Sequence, residues 1–181
     1  MRLIATLNRE LFTPELRILE RRAARGIIMR DHDILLLYTR RYNDYSLPGG
    51  GLDDGEAVLA GLHRELAEET GARDIRVERE FGILDEYRPW YKPEHDLMFM
   101  RSYFYECSVA ESLGAVRMED YEIANGMEVR WMNIHDAIAH NHGVMAAREA
   151  SMGLSIARET LILELLVRER LAPSPSLALA D

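Results

Sequence analysis

Glu65, Glu68 and Glu69 stand at i, i+3 and i+4. A helix brings all three to one face within a single turn. Like charges at that spacing repel and destabilise an isolated helix. A divalent cation offsets such repulsion. Hard cations such as Mg²⁺ take carboxylate oxygens and bind through a few carboxylates together with substrate phosphates. The chemistry implied is metal-assisted reaction at a phosphate. The plain alternative is a solvated acidic helix face, and the neighbouring residues weigh against it. Arg64 precedes the three acids, Glu56 lies upstream, and Gly49, Gly50 and Gly51 come before that. A triple glycine lets backbone approach a ligand closely.

The spacing is specific. Gly50 is followed by five residues, Glu56, seven residues, then Arg64-Glu65-Leu66-Ala67-Glu68-Glu69-Thr70-Gly71-Ala72. This resembles the Nudix box, G-x5-E-x7-R-E-U-x-E-E-x-G-U, where U is a bulky aliphatic residue. Each fixed letter matches. Ala72 is smaller than the usual aliphatic residue, at a position that serves packing. Leu47-Pro48-Gly49-Gly50 is similar to the family's lead-in.

The resemblance implies an α/β fold, the Nudix-type α/β/α sandwich with a mixed sheet. It implies hydrolysis of a nucleoside diphosphate linked to another group, with water attacking a phosphorus of the phosphoanhydride. The implied cofactor is Mg²⁺, with Mn²⁺ as a substitute. Glu65, Glu68, Glu69 and the Gly49 carbonyl become the implied metal ligands. Arg64 pairs with a glutamate and orients Glu65. Glu56 supports that network from the loop side or reaches a second metal. The general base stays open between a box acid, Glu68 or Glu69, and a later one, Glu119, Glu122 or Glu128. Glu122 is preferred, because it sits in a loop-like stretch just before a strand.

Substrate recognition lies outside the box. Tyr45, Tyr87, Trp90 and Tyr91 are able to stack on a base, and Arg25, Arg40 and Arg88 to meet a phosphate. Of these, Tyr45, Arg25, Arg88 and Trp90 are the chosen candidates. Each also reads as ordinary surface or packing. The expected partner is a small nucleotide-type molecule. A net charge of −9 argues against a DNA or RNA polymer, which calls for a basic face. No apolar run reaches the ~20 residues of a membrane span. The first residues, MRLIATLNRELF, lack the apolar core of a signal peptide. The single cysteine, Cys107, cannot form an internal disulfide and reads as a core residue. A reducing cytoplasm is the expected compartment.

The elements that must position these residues follow from periodicity. With 181 residues, one domain is expected over 1–171, with its core at about 20–140. A short helix is expected at 13–20, then apolar strands at 23–30 and 34–38 forming a hairpin. The box helix should run from about Gly55 to Glu69, capped by Asp53 or Asp54. Its expected apolar face is Val58, Leu59, Leu62 and Leu66, and Gly71 should end it. Strands are expected at 75–83, 97–109 and 127–132, with a loop at 85–96 and an irregular acidic stretch at 111–126. A short helix at 133–140 should break at Asn141-His142-Gly143. A long C-terminal helix is expected over 144–171, then a frayed tail at 172–181. The apolar stripe of that helix, Leu154, Ala157, Leu161, Ile162, Leu165 and Leu166, serves either its own domain or a homodimer contact.

Other function classes remain to be weighed. A non-catalytic Nudix-fold sensor of nucleotides or sugar phosphates usually carries a degraded box, and this one is intact. RNA decapping conflicts with the acidic charge. Isoprenoid diphosphate isomerisation wants a cysteine at the site, and Cys107 lies mid-strand.

Overall fold

Alternating burial along the strands builds two apolar layers. The computed structural model describes residues 1–171. Its elements are β1 (Leu3–Leu7), β2 (Ile18–Ile27), β3 (Met29–Arg30), β4 (Asp33–Thr39), β5 (Asp44–Ser46), α1 (Val58–Thr70), β6 (Arg76–Pro89), β7 (Leu97–Ser108), α2 (Asp120–Asn125), β8 (Met127–Asn133), α3 (Ile134–Ala147) and α4 (Ile156–Leu166). A wider π-type turn extends α4 over Val167–Leu171.

One mixed sheet has the order β1-β6-β7-β2, with β1–β6 and β2–β7 parallel and β6–β7 antiparallel. In the second, β4 pairs antiparallel with β3 and β5 along one edge and with β8 along the other. Successive residues of a strand point to opposite faces. Ile34 and Leu36 of β4, Ile27 of β2 and Phe104 of β7 enter the layer shared with α3 and α4. Leu35, Ala24, Ile28, Tyr105 and Cys107 enter the layer shared with Leu62 and Leu66 of α1. The result is an α/β/α sandwich.

Several expected boundaries move. Residues 18–20 are strand rather than helix, because Ile18, Leu19 and Glu20 pair with Leu97, Met98 and Phe99. Of the expected helix only a turn remains, with the Leu16 N–H on the Thr13 carbonyl at 3.2 Å, and a short 3-10 helix lies further upstream at Arg9–Leu11. Ala57, not Asp53 or Asp54, is the N-cap of α1, and Leu59 faces solvent at 46% exposure. Gly71 ends α1 in the left-handed conformation, φ 67°. Strand β6 continues through Asp85–Pro89, where a loop was expected. Cross-strand pairs carry it: Arg101 grips Asp85 twice at 2.8 Å, and Tyr87 meets Phe99 with centroids 5.0 Å apart. The acidic stretch contains α2.

The C-terminal helix is present but begins at Ile156 rather than Val144. Helix α3 runs through Asn141-His142-Gly143 because Asn141 is fully buried, bonding both the N–H and the C=O of Tyr45 at 2.9 Å. It ends at Arg148, whose φ of 51° is left-handed. The expected tail at 172–181 lies outside the described residues.

Candidate active site

Helix α1 and the loop before it build one wall. Leu62 and Leu66 pin the inner face of α1. Glu65 and Glu69 then reach the glycine loop, which lies along β2. Ala24 donates to the Gly50 carbonyl at 3.0 Å, Gly26 to Pro48 at 2.9 Å, and Leu52 to Arg22 at 2.9 Å. A side chain at Gly50 would put its Cβ 2.5 Å from Glu65 Oε2. At Gly49, φ is +124° and a Cβ would collide with the Ala24 carbonyl. Only glycine lets the loop sit this close.

Arg64 organises the acids. Its Nε and Nη2 fork Glu56 at 3.0 and 2.9 Å. Its Nη1 donates to Glu65 at 2.8 Å and approaches Glu68 at 3.5 Å. Arg64 first and the Asp53 amide next hold the Glu56 pKa down to about 2. Glu56 is thereby committed to Arg64.

Glu69 is the unusual acid. It is 4% exposed and accepts the Gly49 N–H at 2.5 Å. Burial raises its pKa to about 8, against the pull of Arg25 and Gly49; Glu122 and Glu65 add repulsion. Burial also raises Glu65, with Arg64 opposing. A cavity of about 230 Å³ lies beside the loop, lined by Arg25, Gly49, Gly50, Glu69, Glu122 and Glu159 among others.

The other expected site residues divide. Arg25 belongs to this cavity, and its Nη1 donates to the carbonyls of Leu47 and Gly49. The Gly49 carbonyl, expected to face a metal, is thus covered by a guanidinium. Glu122 is on α2, not in a loop. It is 3% exposed and fixed by a capping box, its Oε2 accepting the Glu119 N–H at 2.7 Å. Tyr121 Oη donates to its other oxygen at 3.1 Å. Glu128 instead pairs with Arg40 and Arg130 at 2.7 Å. Tyr45 is not at the site. It is buried, with ring centroids of Tyr38 and His140 each 5.1 Å away. Trp90 and Arg88 line a separate pocket at the β6–β7 tip.

Glu159 was missed. Its Oε2 accepts the Leu47 N–H at 3.0 Å at the head of the loop, and Arg158 pairs with it at 2.7 Å. Arg158 also reaches Glu86 at 3.0 Å. The available signal was a charged pair in phase with the apolar stripe of Ile162, Leu163 and Leu166.

Among the described residues, no three of His, Cys, Asp and Glu converge closely enough to hold a metal ion. The donor chemistry still suits a hard divalent cation. The groups are oxygen donors, and Glu69 is a buried carboxylate repelled by two others, which a cation would relieve.

The NUDIX domain model matches residues 20–152. The chain belongs to the NUDIX family. Curated relatives include the RNA pyrophosphohydrolase of Shewanella frigidimarina (strain NCIMB 400), 40% identical over 73 residues, which are 39% of this chain and 40% of that protein. Another is Homo sapiens diphosphoinositol polyphosphate phosphohydrolase 3-alpha, 30% identical over 112 residues, 60% of each chain. The chain thus spans between 40% and 60% of the length of these relatives. A solved NUDIX hydrolase from Nitrosomonas europaea aligns at TM-score 0.52 and 18% identity, over 81% of this chain and 89% of that one. That likeness bears on the NUDIX fold alone.

Proposed function

We propose that this NUDIX protein hydrolyses a phosphoanhydride bond in a small nucleoside diphosphate-linked substrate with the help of Mg²⁺, or Mn²⁺ in its place. The observation that carries the reading is the buried Glu69, held against the glycine loop beside Glu65 and the Arg64–Glu56 fork. Glu65, Glu68 and Glu69 would hold the cation, joined by the Gly49 carbonyl once Arg25 turns away. The cation supplies charge neutralisation on the diphosphate and a lowered pKa for a bound water.

The chain's own groups do the rest. Arg64 fixes the carboxylate of Glu65 so that its orientation is set before substrate arrives. The Gly49 N–H fixes Glu69. Glu122, which lines the same cavity, would take the proton from an attacking water. Arg25 is freed to meet a substrate phosphate, which its fork suits better than a carbonyl. A cytoplasmic setting accords with Cys107, a buried thiol that burial pushes up to about 12. No helix among the described residues is long and apolar enough to cross a membrane.

The name of the Shewanella relative favours one second reading, a 5′-phosphorylated RNA end. The net charge of −9 opposes it. A panel decides between them. Nucleotides, nucleotide sugars, dinucleotides and a 5′-triphosphorylated RNA are incubated with Mg²⁺ or Mn²⁺, and phosphate is read after coupling to a phosphatase. Turnover of a small nucleotide above the RNA supports the proposal. Preference for the RNA replaces its substrate, and metal-dependent binding without turnover of any member replaces it with a sensor.

A further inference from the structure

The pocket at the β6–β7 tip has a volume of about 510 Å³, within the range of ligand sites. Trp90 and Tyr91 form its step, with ring centroids 4.6 Å apart and planes at 42°. Met98 and Met100 give it a polarisable floor. The step is held in place. The Trp90 backbone N–H donates to the Asp96 carbonyl at 3.3 Å, and Arg17 forks the Asp96 carboxylate at 3.0 and 2.9 Å.

The pocket is also cationic on the side towards the carboxylate cavity. Arg21 lines it, and its guanidinium lies 3.4 Å from where a Cβ at Gly51 would stand. Arg88 lines it too. Burial lowers the Arg88 pKa, and the Glu86 carboxylate, 3.5 Å from its Nε, opposes that shift. Register places Arg21, Arg25, Ser102 and Arg88 on one face of the sheet, since Arg21 pairs with Met100, Ala23 with Ser102 and Arg88 with Met98. Among the described residues, Arg25 Nε and Ser102 Oγ are buried without a hydrogen-bond partner, and Arg88 Nε has only the Glu86 carboxylate, 3.5 Å away. Buried donors left unpaired are costly, and their presence along one face calls for an acceptor.

We propose that this pocket seats the base of a nucleotide on the Trp90–Tyr91 step, while Arg21 and Arg88 carry its phosphates towards the carboxylate cavity. A flat aromatic ring fits the step and its thioether floor, because every base has a π-face. A polyol would leave its hydroxyls against apolar groups. An anionic chain fits the unpaired donors. The site rests on the hydrolase reading for its direction, but its occupancy does not require turnover.

The chain has two tryptophans, Trp90 and Trp131. Trp131→Phe leaves Trp90 as the sole reporter and keeps a ring under Arg30, now 4.2 Å from Trp131. This variant is titrated in EDTA with ADP and, separately, with inorganic pyrophosphate. ADP should quench Trp90 saturably and pyrophosphate should not. In the otherwise native chain, calorimetry with Trp90→Ala should show about a tenfold loss of ADP affinity. Arg88→Gln should weaken ADP by about tenfold and leave adenosine unchanged. No Trp90 response to ADP up to ~10 mM, an equal response to pyrophosphate, or unchanged ADP affinity in Trp90→Ala would overturn the site. An inactive protein that binds ADP at Trp90 would sink the hydrolase reading alone. An active one whose Trp90 ignores ADP would sink only this pocket.

Discussion

Arg64 makes the strongest set of directed contacts in the site, and its geometry is specific to guanidinium. It forks Glu56 and reaches Glu65 at the same time. A lysine keeps the charge but not the fork. Arg64→Lys should therefore lower kcat by about 10- to 100-fold, the usual loss when a partner orienting a ligand is changed. The melting temperature should move little. Unchanged kcat would show that the acids orient themselves. Asp44 offers a stability test away from the box. It is 4% exposed, and burial first, then Glu159, raises its pKa from 3.8 to about 6. A raised folded-state pKa means that its contribution is full below about pH 4 and lost as pH rises through about 6. Asp44→Asn should thus gain on the parent between about pH 4 and pH 7, by at most roughly 3 kcal/mol. Chemical denaturation at the two pH values measures this, and a pH-independent difference would contradict it.

Helix α4 links the core to the loop. Ile162, Leu163 and Leu166 are fully buried, Leu165 is nearly so, and Leu161 packs against the same cluster. The apolar stripe weighed as a dimer contact is therefore committed to its own domain, while Leu154 and Ala157 are exposed. Burying two carboxylates there is prohibitive. Leu161→Glu with Leu165→Glu should abolish cooperative unfolding by circular dichroism. A soluble, folded double variant would mean that the stripe is surface after all. The same helix shows how far periodicity carries. Strands at β2, β4, β7 and β8 and helix α1 were legible, because their apolar residues are decided by burial. The extension of β6 was not. Asp85 and Arg88 read as loop, and only pairing with β7 makes them strand. Asn141 reads as a breaker until its amide is seen on the Tyr45 backbone.

Over the whole molecule, the box was legible because its spacing alone brings four acids and an arginine to one loop. The rest of the cavity was not, since it is assembled by long-range contacts. Glu122 comes from α2 and Glu159 from α4, and no local pattern ties either to Gly49. Tyr45 illustrates the converse. An aromatic residue near the glycine loop looked like a base contact, yet tertiary packing takes it into the core. The joint claim is that these distant pieces converge on Glu69 to make a metal-dependent hydrolase. The most direct measurement is steady-state turnover of the parent and Glu69→Gln, side by side, on the best substrate of the panel with Mg²⁺ titrated. The variant should fold as the parent does and lose on the order of 10²-fold or more in kcat. Turnover that is equal in both, or that does not depend on the metal, would contradict the claim.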